Sequence, residues 1–265
     1  METFDLSRIK LSHYDKQRNL HLPKQPSEEL AEFIGILAGD GYVSFNTNRN
    51  VISISGDSRY DYDYLNKHIK NLIKKLFNLD TRANKRKRAK YAEIYITSKG
   101  LINFLKYVGY YKHKSKNIKI PRWITNNNDF MIPFIQGVAD TDFSLMLYKN
   151  RKIYPIYPKI GLTSVSKELV HIIGSWLNKK GFLVYIRKDK HFDKRTNNTG
   201  IEFRLTLSGR KNLEMWMDFI GFRNNRHLNK YKEYLDSGNI SKKIGRPPIK
   251  LKLGTRRFES RKDFL

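Results

Sequence analysis

Two aspartates hold matching places in this chain. "FIGILAGDG" (33–41) carries an apolar helical pattern through Gly35 to Asp40, and "IQGVADTDF" (135–143) carries another through Gly137 to Asp142. The carboxyl end of a helix already has partial negative charge from its free carbonyls, so an ionised aspartate there is disfavoured unless a cation compensates. If the two helices lie side by side and parallel, the acids meet. Two carboxylates with neighbouring carbonyl oxygens make a hard oxygen site suited to Mg²⁺, an ion that readily takes phosphate oxygens as further ligands. Beneath a duplex, such a site would support metal-assisted phosphodiester hydrolysis without a Ser, Cys or His nucleophile. For either aspartate alone the plainer reading is a helix-to-strand cap. Asp140, two residues earlier on its helix, points elsewhere and reads as a capping or packing partner.

The elements that would position these acids repeat in order. Ser27 is a candidate N-cap, with Glu28 and Glu29 in the first turn, and the helix it opens leads into the strand "YVSF". The second copy runs through "FMIPFIQGVADTD" into "SLML". Downstream, "NVISISGDS" answers "YPKIGLTSVS", and the amphipathic "YDYDYLNKHIKNLIKKLFNL" answers "KELVHIIGSWLNKKGF". "AEIYITSKG" then answers "IEFRLTLSG", with Ile94 and Ile96 against Phe203 and Leu205 as inward positions. A helix ended by Gly109 or Gly221 closes each copy. The expected fold is α+β, with two pseudo-symmetric α-β-β-α-β-β-α repeats packed through their first helices. The boundaries read as an N-terminal extension 1–26, a first repeat 27–122, a polar linker 123–129, a second repeat 130–236 and a basic tail 237–265. Ala31, Gly35, Ala38, Gly137 and Ala139 would let the two helix backbones approach closely.

Charge narrows the partner. The 265 residues hold 52 Lys+Arg against 25 Asp+Glu, a formal net charge of +27, so a polyanion would be bound with counterion release. No apolar run approaches the roughly 20 residues of a spanning helix, and "METFDLSRIKLSHYDKQRNL" lacks the apolar core of a signal peptide. The expected location is therefore the cytoplasm, as in an archaeon, or an organellar matrix, without secretion. With no cysteine, disulfides, thiolate nucleophiles and thiolate metal sites are excluded.

The two motifs resemble those of single-chain LAGLIDADG homing endonucleases, and the resemblance spans both repeats. It implies a monomeric, site-specific double-strand DNA endonuclease dependent on Mg²⁺, with Mn²⁺ as a substitute, that promotes mobility of its host intron or gene. It assigns the metal to Asp40 and Asp142, with the carbonyls of Gly39 and Thr141 beside it. It also implies a basic residue near the scissile phosphates after the last helix of each half; Lys114 and Arg226 stand five residues past Gly109 and Gly221. Phe143 departs from the glycine usual at that place, which is costly if the backbone there needs positive φ or close approach.

On this reading each half presents the outer face of a four-stranded sheet, and the two sheets form a saddle on DNA whose strands read the major groove. The outward residues are Tyr42, Ser44, Asn46, Ser53, Ser55, Glu93, Tyr95 and Thr97 in the first half. In the second they are Ser144, Met146, Tyr148, Lys159, Thr163, Tyr185, Arg187, Glu202, Arg204 and Thr206. Basic hairpin tips add Arg49, Arg86, Arg88, Arg151 and Lys190, and Arg246 of the tail suits a narrow minor groove. The halves differ at nearly every outward position, so the target should be long and imperfectly symmetric. Two other functions fit the same fold: an intron RNA-splicing maturase, or a catalytically silent DNA-binding regulator. The missing cysteine and the lack of a large extra domain point to an intron-borne or free-standing gene rather than a protein-splicing element.

Overall fold

A computed structural model describes residues 3–45, 49–85, 90–113, 117–149, 156–193 and 197–237. The N-terminal extension is built into the first repeat. After a 3-10 turn (Leu6–Arg8), the short helix α1 (His13–Gln17) opens with a capping box between Ser12 and Asp15. Asp15 is fully buried and also accepts from Ser98 Oγ at 2.7 Å, Gly100 N at 3.0 Å and Arg18 Nη2 at 3.0 Å. Burial alone would raise its pKa, but the hydrogen bonds from Ser12, Ser98 and Gly100 outweigh burial and hold it below the usual range. Phe4 completes this attachment by packing edge-on against Phe104, Tyr107 and Trp123.

The first repeat follows the expected order. Helix α2 (Glu28–Ala38) starts at Ser27, whose side chain accepts from Leu30 N, and leads into strands β1 (Gly41–Val43) and β2 (Val51–Gly56). A π-helical turn (Tyr64–Ile69) runs into α3 (Lys70–Phe77), followed by β3 (Asn84–Lys85), β4 (Ala92–Thr97) and α4 (Lys99–Tyr107). Beyond Gly109, at φ +91°, the chain turns into the hairpin β5 (Tyr111–His113) and β6 (Asn117–Lys119).

The joint is not the polar linker expected. Helix α5 (Arg122–Thr125) buries Trp123 and Ile124, and the indole Nε1 of Trp123 donates to Val108 O at 3.1 Å. Its apolar residues close the base of the first repeat, while Asn127 caps α6 (Asn128–Asp142), which begins before residue 130. The second repeat continues as β7 (Phe143–Tyr148), β8 (Tyr157–Ser164), α7 (Lys167–Lys179), β9 (Val184–Asp193), β10 (Asn198–Ser208) and α8 (Arg210–Phe219). Past Gly221, at φ +70°, comes α9 (Asn225–Asp236) where the first repeat has a hairpin.

The two main sheets are antiparallel and share one topology, β1-β2-β4-β3 and β7-β8-β10-β9. Ile94, Ile96, Leu205 and Leu207 point into the core, while Phe203, on an inner strand opposite the last residue of β8, is half-buried. Helices α2 and α6 form the central contact between the repeats. A Cβ on Gly35 would overlap the carbonyl oxygen of Phe134 and stand 3.2 Å from Gly137 Cα; one on Gly137 would overlap the carbonyl oxygen of Glu32 and lie 2.8 Å from Ile36 N. The backbones therefore touch where both side chains are absent.

Gly35→Ala should destabilise the protein by about 3 kcal/mol in urea denaturation, because the obstruction is backbone and cannot rotate away. Gly161→Ala should cost less than about 1 kcal/mol, since its nearest neighbour is the flexible Met146 Cε at 3.0 Å.

Candidate functional site

The crossing of α2 and α6 brings their carboxyl ends together. Helix α2 stops at Ala38, Gly39 is its C-cap, and Asp40 lies just beyond; α6 continues through Asp142 before Phe143 turns extended. Asp142 Cγ lies 3.4 Å from where a Gly39 Cβ would stand, and Thr141 Oγ1 fills the rest of that space. Thr141 Oγ1 is held by donating to the carbonyls of Gly137 and Val138, both at 3.0 Å. Phe143 needs no positive φ, at −77°, and its buried ring packs on Trp216 at 5.1 Å, so the second motif accommodates it without strain. The glycine of the first motif is required by space: a Cβ on Gly41 would lie 2.5 Å from Leu37 Cα.

Two cations neutralise the helix ends. Lys112 Nζ donates to the carbonyls of Leu37 (3.2 Å), Ala38 (2.9 Å), Gly39 (2.7 Å) and Gly41 (2.9 Å), so one ammonium caps the whole end of α2. Arg226 Nη2 donates to Thr141 O at 3.0 Å and does the same for α6. Arg226 is therefore beside the acids as its position suggested. Lys114 lies outside the described residues, and the cation at α2 is Lys112, which the sequence reading missed. A hairpin follows Gly109 where a helix follows Gly221, so equal residue counts from the two glycines run in different directions.

Both acids keep some surface open to solvent, yet protein encloses most of each. Burial, then the charge of Asp142 and that of Asp61, pushes Asp40 up to about 7 against the pull of Arg226 and Lys112. Burial pushes Asp142 up to about 6 against Lys112 and Arg226. Among the described residues, neither carboxylate receives a hydrogen bond or forms an ion pair within 4 Å. Two under-satisfied carboxylates with oxygen neighbours fit a hard divalent cation. Among the described residues no third acid or histidine joins them, so water and a phosphate would complete the coordination. The carbonyls of Gly39 and Thr141 already accept from Lys112 and Arg226, and only their second lone pairs are left for an ion. Asp140 points away as expected: its Oδ1 accepts from Arg223 N at 2.8 Å and Asn224 N at 2.9 Å, fixing the approach to α9.

The sheet faces away from the helices carry most of the expected contact residues. Tyr42, Ser53 and Tyr95 line up across the first sheet, as do Ser144, Gly161, Thr206 and Tyr185 across the second. Ser55 pairs with Glu93, Thr97 is exposed beside Val51, and Arg49 is exposed at the β1-β2 turn. Thr163, Arg204 and Arg187 form a further row, with Glu202 opposite Asp189. Arg187 and Arg204 are paired with these acids: Arg187 to Asp189 at 2.9 Å, Arg204 to Glu202 at 2.9 Å and to Asp189 at 3.6 Å. Lys159 pairs with Met146 and lies over the Tyr148 ring at 4.8 Å. One expectation is corrected: Ser44 is buried, and its Oγ accepts from Val51 N at 2.7 Å to close the β1-β2 connection. Lys190, expected at a hairpin tip, is exposed within β9, on the face opposite Tyr185 and Arg187. Asn46, Arg86, Arg88, Arg151 and Arg246 lie outside the described residues.

The same architecture occurs in a solved structure, the homing endonuclease I-WcaI bound to its DNA recognition sequence. The match covers 83% of this chain and 92% of that one, with a TM-score of 0.54 and 17% identity. The fold is that of the LAGLIDADG homing endonucleases. I-GzeII, a LAGLIDADG homing endonuclease in complex with its DNA target, matches with a TM-score of 0.47 at 12% identity, over 81% of this chain and 89% of that one. No family model matches the chain. Two relatives by sequence come from Methanocaldococcus jannaschii. The replication factor C small subunit is 26% identical over 214 residues, covering 80% of this chain and 10% of that protein. Glutamine–fructose-6-phosphate aminotransferase is 26% identical over 226 residues, covering 82% and 19%. The chain thus spans a tenth and about a fifth of these relatives' lengths. No helix among the described residues is long and apolar enough to cross a membrane.

Next to Arg226, His227 is buried and stacked on Phe222 at 4.5 Å. Burial, then the charges of Arg226 and Lys230, drives its pKa from 6.5 down to about 3. The folded state therefore binds fewer protons here than the unfolded chain. The stability this contributes is complete above pH 6.5 and declines as pH falls toward 3. His227→Gln should lose less melting temperature than the parent between about pH 7 and pH 4 in scanning calorimetry, because it removes this proton uptake on unfolding.

Proposed function

We propose that this protein is a site-specific double-strand DNA endonuclease whose reaction takes place between Asp40 and Asp142 with a divalent cation, Mg²⁺ or in its place Mn²⁺. The observation that carries the reading is the pair of largely enclosed carboxylates at the joined helix ends, raised in pKa by burial and each beside a cation anchored to the same backbone. A protein built only for stability would gain by replacing these acids. A site that awaits positive charge and phosphate explains them.

The roles of this chain's residues follow. The Asp40 and Asp142 oxygens would hold the cation, with Gly39 O and Thr141 O each offering a second lone pair beside them. When bound, the cation supplies Lewis-acid charge at the phosphate, with water as nucleophile. Lys112 and Arg226 add positive charge near the scissile phosphates, where charge grows on the oxygens during in-line displacement. The exposed rows centred on Tyr42, Ser53 and Tyr95 and on Tyr185, Arg187 and Arg204 lie along two grooves of one long duplex. Their residues differ between the repeats, so the target is imperfectly symmetric and one chain suffices. The +27 charge supplies affinity irrespective of sequence, with a steep dependence on salt. A unit that matches small parts of proteins with unrelated names is consistent with a coding segment that moves between hosts.

The test is a library of randomised duplexes incubated with the protein in Mg²⁺ and in Ca²⁺, and with Asp40→Asn, followed by sequencing of bound and cut ends. Defined double-strand ends in Mg²⁺ that disappear with Asp40→Asn are expected. Specific binding with no cutting would leave a regulator, and binding blind to sequence would point to intron RNA. In the same preparations Mg²⁺ should raise the melting temperature of the parent, and it should leave an Asp40→Asn, Asp142→Asn double variant unmoved.

A further inference from the structure

The two cations are anchored by different means. Among the described residues, Lys112 donates only to carbonyls of its own repeat. Arg226 belongs to the second repeat, yet its Nη1 faces Asp61 Oδ2 of the first at 3.4 Å. Nη2 takes Thr141 O and sits 3.3 Å from His227 Nε2, whose neutral ring can only accept there. Asp61 is itself buried and held rigidly. Its Oδ2 accepts from Asp57 N at 2.9 Å, and its Oδ1 accepts from Asn224 Nδ2 at 2.8 Å. Asn224 also donates through Nδ2 to Asp140 O at 3.1 Å, and its Oδ1 accepts from Arg226 N at 3.0 Å. A carboxylate of one half thus fixes both the backbone and the guanidinium of the cation in the other.

We propose that Asp61 is a positioning residue for Arg226, so that cleavage of one DNA strand depends on a side chain from the opposite repeat while cleavage of the other does not. The inference rests on the nuclease reading above. Asp61→Asn preserves shape and can still accept from Asn224, but it removes the charge that aims the guanidinium and turns an amide NH2 toward Asp57 N and Arg226 Nη1. Freed from Asp61, the guanidinium leaves the phosphate it would face, and only the strand on that side slows.

The experiment uses the full chain and a supercoiled plasmid carrying the duplex recovered from the library, with each strand labelled. Asp61→Asn should accumulate nicked circles. One strand should be cut about 10- to 100-fold more slowly, the loss expected on removing a hydrogen bond to a charged group, and the other at the parental rate. In an Arg226→Lys background the same substitution should add little, because the two act as one unit. Lys112→Met should slow the opposite strand, which shows that the assay resolves both. Equal slowing of both strands, or a lowered melting temperature with no change in the strand ratio, would overturn the proposal. A parent chain that cuts no duplex overturns the nuclease reading instead. For that case the Arg226 side-chain ¹⁵N resonances provide a test without activity: restricted guanidinium rotation in the parent should become averaged in Asp61→Asn, and unchanged rotation would refute the positioning role.

Discussion

The close approach of α2 and α6 at Gly35 and Gly137 is the constraint on which the rest depends. Only two residues without side chains allow a backbone contact in which either Cβ would strike a carbonyl of the partner helix. That contact sets the helices side by side with their carboxyl ends together, and it fixes where Asp40 and Asp142 stand. Both sheets are attached directly to these ends, β1 after α2 and β7 after α6, so the same contact also orients the exposed sheet faces.

Gathering two helix ends and two acids concentrates negative charge in a region of reduced solvation. The fold answers with Lys112 and Arg226, which bind the helix carbonyls directly; among the described residues the carboxylates receive no hydrogen bond. Burial still raises both acids, so the cations compensate the helix ends more completely than the carboxylates. On the proposed reading, a divalent ion beneath a polyanion would meet the residual demand for positive charge. Asp61 adds to the negative field at Asp40 while facing Arg226, and so serves the cation at the expense of the acid.

On the sheet faces the arginines are held before any partner arrives. Arg187 and Arg204 share Asp189, and Arg204 also takes Glu202. Exposed pairs of this kind contribute little stability. Their effect is to limit the rotamers of long side chains, so less freedom would be lost on binding the duplex proposed above.

The sequence by itself determined the local and periodic features: the repeat, the caps such as Ser27, the strand alternation, and the Gly-to-Asp spacing that marks both helix ends. These rest on interactions a few residues apart, or on a period that a packed face must obey. Only the tertiary structure decided that Lys112 caps α2, since it sits in a hairpin that has no counterpart in the second repeat. It alone decided that Trp123 is core, that Ser44 turns inward, and that Asp61 crosses from one repeat to hold a cation of the other. Those contacts join residues far apart along the chain, where no local pattern records which side chains the packed helices bring together.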